Sequence, residues 1–242
     1  KALEDWQIDV DVVDGSIFKD QTADQYEVLV LAANDCYALD PDSELEQGIA
    51  AWVKNGGMLL HGPMDLLAQA SVGSRCLSHE KDAFECSGEK GMLTGTQFGS
   101  FEEENADVFA VWKTDEKPAI VKRTFGKGTV CEIGFFYGFE YTGRIAPHVP
   151  LTQRNNELYP LTMLKKDPVG MLLEEKFGTT LTRKKGVERA EFENGTVIVN
   201  HSSYPCRIDE PGTRYFQNPE LYQDLDSKIL LPHMGVFIER KV

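Results

Sequence analysis

Val28-Leu29-Val30-Leu31-Ala32-Ala33, then Ser43 through Asn55, then Met58-Leu59-Leu60 is the stretch that decides the fold. The middle part reads as an amphipathic helix. Leu45, Ile49, Trp52 and Val53 fall at helical spacing and form one apolar stripe. Ser43 with Glu46 three residues on fits a capping box, and Asp40-Pro41 offers a second start. Asn55-Gly56-Gly57 stops the helix, because glycine tolerates the left-handed conformation at a C-cap. The flanking segments are apolar almost throughout, as strands covered by helices on both faces are. The unit is therefore a β-α-β crossover in an α/β sheet. Such a unit carries no chemistry of its own.

Outward from this unit the chain changes character several times. Gln7 to Val13 alternates Ile8, Val10 and Val12 with polar residues and predicts a half-exposed strand, preceded by a helix closing at Trp6. His61-Gly62-Pro63-Met64-Asp65 is a loop at the carboxyl end of a strand, the edge where open α/β sheets bind ligands. Met64 to Gln69 suggests a short helix, and Val72 to Gly99 a long irregular segment over that edge. Val108–Trp112, Ala119–Thr124 and Thr129–Ile133 predict three strands, with a tight turn at Phe125-Gly126-Lys127-Gly128. Asn156–Lys166 and Asp167–Phe177 read as helices, the second capped by Asp167, opened by Pro168 and stopped by Gly178. Beyond Leu181 only short strands follow, including a hairpin around Asn194-Gly195 and strands at Tyr204–Ile208, Ile229–Leu231 and Gly235–Glu239. The expected domains are residues 1–178, an α/β domain, and 179–242, a small antiparallel β-domain.

Composition narrows the function classes. A chain of 242 residues with 41% hydrophobic content can bury a sizeable core. A net charge of −14 argues against nucleic acid and anionic membrane surfaces as partners. No apolar run approaches the ~20 residues of a membrane span. The five cysteines are odd in number and irregular in spacing, which points to a reducing, cytoplasmic compartment rather than a disulfide framework. Cys131 lies in an apolar strand pattern and reads as a small buried hydrophobe. The opening at Lys1, with structured sequence close behind, suggests a piece of a longer polypeptide.

Four stretches together resemble the non-catalytic C-terminal part of a family 42 glycoside hydrolase, a β-galactosidase. They are Tyr26–Leu31, Val53–Leu60, Phe125–Gly128 with its following strand, and Val197–Ser202 with Leu231-Pro232-His233-Met234-Gly235-Val236. The resemblance implies a flavodoxin-like, class I glutamine amidotransferase-like sheet with helices on both faces, followed by a small antiparallel β-domain. It implies a trimerising homo-oligomer, with parts of Val72–Gly99 and the helix after Ser43 near the subunit contact. It also implies a β-galactoside as the parent's substrate, bound by a catalytic barrel that this chain lacks, and no cofactor.

The candidate chemical residues point the same way. An amidotransferase nucleophile is a cysteine on a glycine-flanked elbow with a His and a Glu two residues apart downstream, and none of the five cysteines has that setting. Cys36, which follows a strand, is the weak alternative nucleophile. His61, Asp65 and Tyr137 are candidates for a sheet-edge pocket, and Phe139 and Tyr141 belong to the same aromatic cluster, which fits core or subunit contact better. Cys76, His79 and Cys86 match only the first spacing of a zinc site, so no metal is expected. Glu102-Glu103-Glu104 is a solvated acidic run rather than a glycosidase carboxylate pair, and His201 is a surface or turn residue. The expectation is an oligomerisation and accessory portion of a glycosidase. The alternatives are a free-standing amidotransferase-like hydrolase working at the sheet edge, or a sugar-binding accessory module.

Overall fold

A computed structural model describes residues 2–31, 43–63, 76–78, 83–93, 98–101, 105–142, 161, 164–165, 167–182, 186–223 and 225–240. The chain divides into two compact units, Val13–Gly178 and a second that joins residues 1–12 to Thr179–Val242.

In the first unit, β1 (Val28–Leu31) runs parallel to β2 (Met58–His61), as the crossover requires. Between them α3 (Glu44–Lys54) starts at Ser43, whose hydroxyl accepts from the Glu46 amide at 3.2 Å. Its apolar stripe, Ile49, Trp52 and Val53, packs with Leu59 and with Val130 of β9 (Gly128–Ile133). The Trp52 Nε1 donates to the Ala23 carbonyl at 3.0 Å, so the longest side chain of the stripe is satisfied as well as buried. The end of α3 rests on a glycine turn. Lys127 N donates to Lys54 O at 2.9 Å, and a Cβ on Gly128 would meet Val53 O at 2.0 Å. The turn joins β9 to β8 (Pro118–Phe125) with Phe125 opposite Gly128, and Gly126 at φ +66 supplies the first central residue of a type II′ loop.

That turn makes the sheet mixed, whereas a flavodoxin-like sheet, which the resemblance implied, is parallel. The order is β1-β2-β9-β8-β7-β4-β5, with β7 at Asp107–Trp112, β4 at Ala83–Cys86 and β5 at Glu89–Met92. Only β1·β2 and β2·β9 are parallel, and the other four pairings are antiparallel. A two-residue connection reverses the chain, so β8 must lie antiparallel to β9. The segment expected to be irregular supplies β4 and β5. Ser87 (φ +50) and Gly88 (φ +80) form the two-residue turn between them, both left-handed as a type I′ hairpin demands. Strands of four residues show too little period to be read from sequence. A separate pair, β3 (Cys76–Ser78) with β6 (Phe98–Ser100), accounts for more of the same segment.

The face opposite α3 is flanked by α5 (Pro168–Phe177), where Glu175 accepts from Lys122, the strand partner of Cys131. The Asp167 Oδ1 accepts from Val169 N and Gly170 N at 2.9 and 3.1 Å, and Gly178 closes the helix at φ +63. The expected helices at 64–69 and 156–166 lie outside the described residues, apart from Leu161, Leu164 and Lys165.

The second unit is an antiparallel sheet in the order β10-β11-β15-β13. These are Val187–Phe192, Gly195–Asn200, Gly235–Glu239 and Thr213–Phe216, and a short pair, β12 (Cys206–Arg207) with β14 (Ile229–Leu230), stands beside them. Its core holds Val187, Ile198, Ile208, Tyr222, Leu230, Val236 and Ile238. The hairpin tip is Glu193-Asn194, not Asn194-Gly195, because Phe192 pairs with Gly195. Gly195 is required for another reason: a Cβ there would meet Ile238 O at 2.3 Å and the Phe237 ring at 2.7 Å. Asn200 is buried, with Nδ2 2.8–3.2 Å from the carbonyls of Tyr204, Leu230 and Leu231, and holds the loop ends together. The alternating stretch 7–13 does not join a sheet. It runs extended after α1 (Ala2–Asp5), anchored where Gln7 Nε2 donates to Val187 O at 2.8 Å and Gly186 N donates to Asp5 Oδ1 at 3.2 Å.

Candidate functional site

The carboxyl ends of β2 and β9 are where an α/β sheet of this kind presents chemistry. His61 closes β2 and stands opposite Glu132 on β9. On β8, Arg123 pairs with Val130, two residues before Glu132 and on the same face. Register thus places an imidazole, a carboxylate and a guanidinium side by side. The Arg123 Nε donates to Glu132 Oε2 at 2.9 Å, and Glu132 Oε1 lies 4.0 Å from His61 Nε2. His61 Nδ1 is 2.9 Å from the Gly62 carbonyl, which can only accept, so that nitrogen carries the proton. All three side chains are at most 3% exposed.

This cluster has the ingredients of general acid–base chemistry. Cys131 is next to Glu132 in sequence but projects from the other face of the sheet. Burial pushes its thiol up to about 12, despite the Lys122 ammonium drawing it down, so no thiolate forms near neutral pH. Lys122 itself is raised, first by donating to Glu175. The buried Arg123 and Glu132 charges are paired with each other, as buried charges must be.

Tyr137 opens α4 (Tyr137–Thr142) and is half-buried. Its hydroxyl donates to Asp167 Oδ2 at 2.7 Å, so a single buried carboxylate caps α5 with one oxygen and anchors Tyr137 with the other. The Tyr141 ring lies 5.6 Å from that of Tyr137 and is fully buried. His61 and Tyr137 are thus packed into the unit by different partners. Cys36, Asp65, His79 and Glu102–Glu104 lie outside the described residues. Cys86 is buried, and among the described residues no group of three His, Cys, Asp or Glu side chains could hold a metal ion. His201 sits at the surface with Nε2 2.9 Å from Glu188 Oε2.

Sequence reasoning missed Arg123, Glu132 and Asp167 as partners. A signal existed for the first two. Each is a charge inside an apolar strand, and the tight turn at Gly126-Lys127 fixes the register that brings them together. Asp167 was legible as a cap, but its second oxygen's partner lies thirty residues away.

The fold and site define two units, an α/β unit on a mixed sheet with a buried ion cluster at its sheet edge, and an antiparallel β-unit. No model of a known protein family matches the sequence, and no curated protein does. Solved structures do match in fold, several β-galactosidases among them. The β-galactosidase of the Antarctic haloarchaeon Halorubrum lacusprofundi is 17% identical with a TM-score of 0.69, over 100% of this chain and 35% of that one. That of the psychrophilic Marinomonas ef1 is 17% identical with a TM-score of 0.61, over 99% and 32%. Gan42B, a GH42 β-galactosidase, is 14% identical with a TM-score of 0.60, over 100% and 35%. The chain shares the fold of part of these enzymes and spans about 35% of their length. Among the described residues no helix is long and apolar enough to cross a membrane.

Proposed function

We propose that this chain is the oligomerisation and accessory portion of a β-galactosidase-like glycoside hydrolase whose catalytic barrel lies outside the chain. One observation carries the reading: β-galactosidases match the whole chain, both units included, with about a third of their own length. The described residues agree with it, since the cluster at the sheet edge is closed. Glycoside hydrolysis needs two carboxyl groups ~5–5.5 Å or ~6.5–9.5 Å apart around an accessible bond. Glu132 is sealed between Arg123 and His61 and cannot serve as one of them. On this reading the Val13–Gly178 unit is amidotransferase-like in descent, has lost the nucleophile, and makes the contact of a cytoplasmic trimer.

The test compares this chain with the longer reading frame that contains it. The chain alone is expected to leave nitrophenyl β-galactosides intact, while the longer protein hydrolyses them and scatters light as a trimer. Turnover by the chain alone, or a reading frame that encodes no barrel, would sink the proposal.

A further inference from the structure

The antiparallel sheet of the second unit has one face on its core and a second face exposed at Ala190, Phe192, Thr213, Tyr215 and Glu239. Register assigns the second face. Ala190, Val197, Phe237 and Tyr215 stand in one row across the four strands, and Phe192, Gly195, Glu239 and Thr213 in the next. Phe192 is 52% exposed and Tyr215 is 53% exposed, two large aromatics on one contiguous face. The Tyr215 and Phe237 rings are 6.2 Å apart and only 28° from parallel. Gly195 is what lets the Phe237 ring lie down on the sheet, because any side chain there would strike it. The result is a shallow aromatic strip running diagonally from Tyr215 over Phe237 to Phe192. With strands ~4.8 Å apart, three intervals make the strip ~14 Å long.

We propose that this face is a stacking platform for a neutral oligosaccharide. The polar groups along the strip choose the occupant. Glu239 lies between Gly195 and Thr213 in the second row, and its Oε2 accepts from the Tyr215 hydroxyl at 3.0 Å. A protein laid on this face would bury that carboxylate, at the cost that makes charged residues scarce in interface centres. A sugar instead offers hydroxyl donors to Glu239 and a face of C–H bonds to the electron-rich ring faces. At the other margin, Glu188 with His201 at 2.9 Å supplies a second hydrogen-bonding pair. Shallow stacking along ~14 Å suits a short run of pyranose rings rather than a single deeply held sugar. The inference concerns the β-unit alone and holds whether or not the chain belongs to a glycosidase.

The experiment is affinity electrophoresis of the 242-residue chain through gels containing soluble β-1,4-galactan, hydroxyethylcellulose or no polysaccharide. Retardation by at least one polysaccharide is expected. It should weaken at least tenfold in the double variant Phe192→Ala with Tyr215→Ala and be unchanged in Tyr204→Ala, an exposed aromatic outside both rows of the strip. Both substituted rings are about half exposed, so every variant should still melt cooperatively as a folded protein, which separates binding from folding. Glu239→Gln, which keeps the shape and loses the charge, should weaken retardation severalfold. Absence of retardation in both gels, or retardation equal in all variants, overturns the proposal. So does sedimentation in which the chain self-associates and the double variant does not, or capture by a polylysine peptide in place of the polysaccharides. None of these readouts involves hydrolysis, so this inference and the proposed function fail independently.

Discussion

Removing either half of the Arg123–Glu132 pair should cost far more than removing both. The pair is at most 3% exposed, and the Arg123 Nε to Glu132 Oε2 distance is 2.9 Å. In Glu132→Leu the guanidinium stays buried and stays charged, since arginine does not give up its proton. Breaking a buried pair in this way costs about 3–5 kcal/mol, while replacing both partners with apolar residues of similar volume is near neutral or stabilising. Arg123→Met should be the milder single variant. Glu132 then keeps His61 at 4.0 Å, an imidazole able to take up a compensating proton. The double variant Arg123→Met with Glu132→Leu should fall within about 1 kcal/mol of the parent. The assay is urea unfolding followed by tryptophan fluorescence, because Trp52 and Trp112 both lie buried in the same unit. A double-mutant cycle gives the coupling directly. In thermal melts the single variants should lose about 2–4 °C per kcal/mol. Single losses each below about 1 kcal/mol, or losses that simply add in the double variant, would refute the coupling of this buried pair.

Three further outcomes follow from the same geometry. Gly128→Ala should be severely destabilising in thermal melts, since its Cβ would meet the Val53 and Gly57 carbonyls at 2.0 and 2.3 Å; Gly138→Ala, with nothing within 4 Å and a helical backbone, should be neutral or stabilising by up to ~1 kcal/mol. Cys131 deprotonates near 9 in an unfolded chain and at about 12 in the folded one, so its contribution is complete below pH 9 and is lost as pH rises toward 12. That loss is at most ~4 kcal/mol, Cys131→Ala should remove it from alkaline unfolding curves, and mass-mapped thiol labelling at pH 8 should reach Cys131 only after denaturation. Asp167→Ala should cost more than Tyr137→Phe in urea titrations, roughly 2–4 against ~1 kcal/mol, because it removes the α5 cap and leaves the Tyr137 hydroxyl without its acceptor; equal losses would mean the cap contributes nothing.

The β1-α3-β2 crossover, the cap at Ser43 and the helix from Pro168 to Gly178 were all determined by the sequence itself. Each depends on neighbours within a few residues, where period, capping chemistry and glycine conformation act directly. Even the Arg123–Glu132 contact was implicit locally, because a two-residue turn leaves a single register. Only the tertiary structure decided the rest. Alternation in Gln7–Val13 shows that one edge of the chain is apolar, but it names no partner strand, and the segment stays outside any sheet. Likewise Gly195 looked like a turn residue until Phe237 and Ile238 were seen to lie across it. His61 reached Glu132 only because β9 inserts beside β2, a pairing between residues 71 positions apart that no local pattern encodes. Strand order and the company a buried charge keeps come from long-range pairing, whose free energy is shared across the whole sheet and written in no single stretch of it.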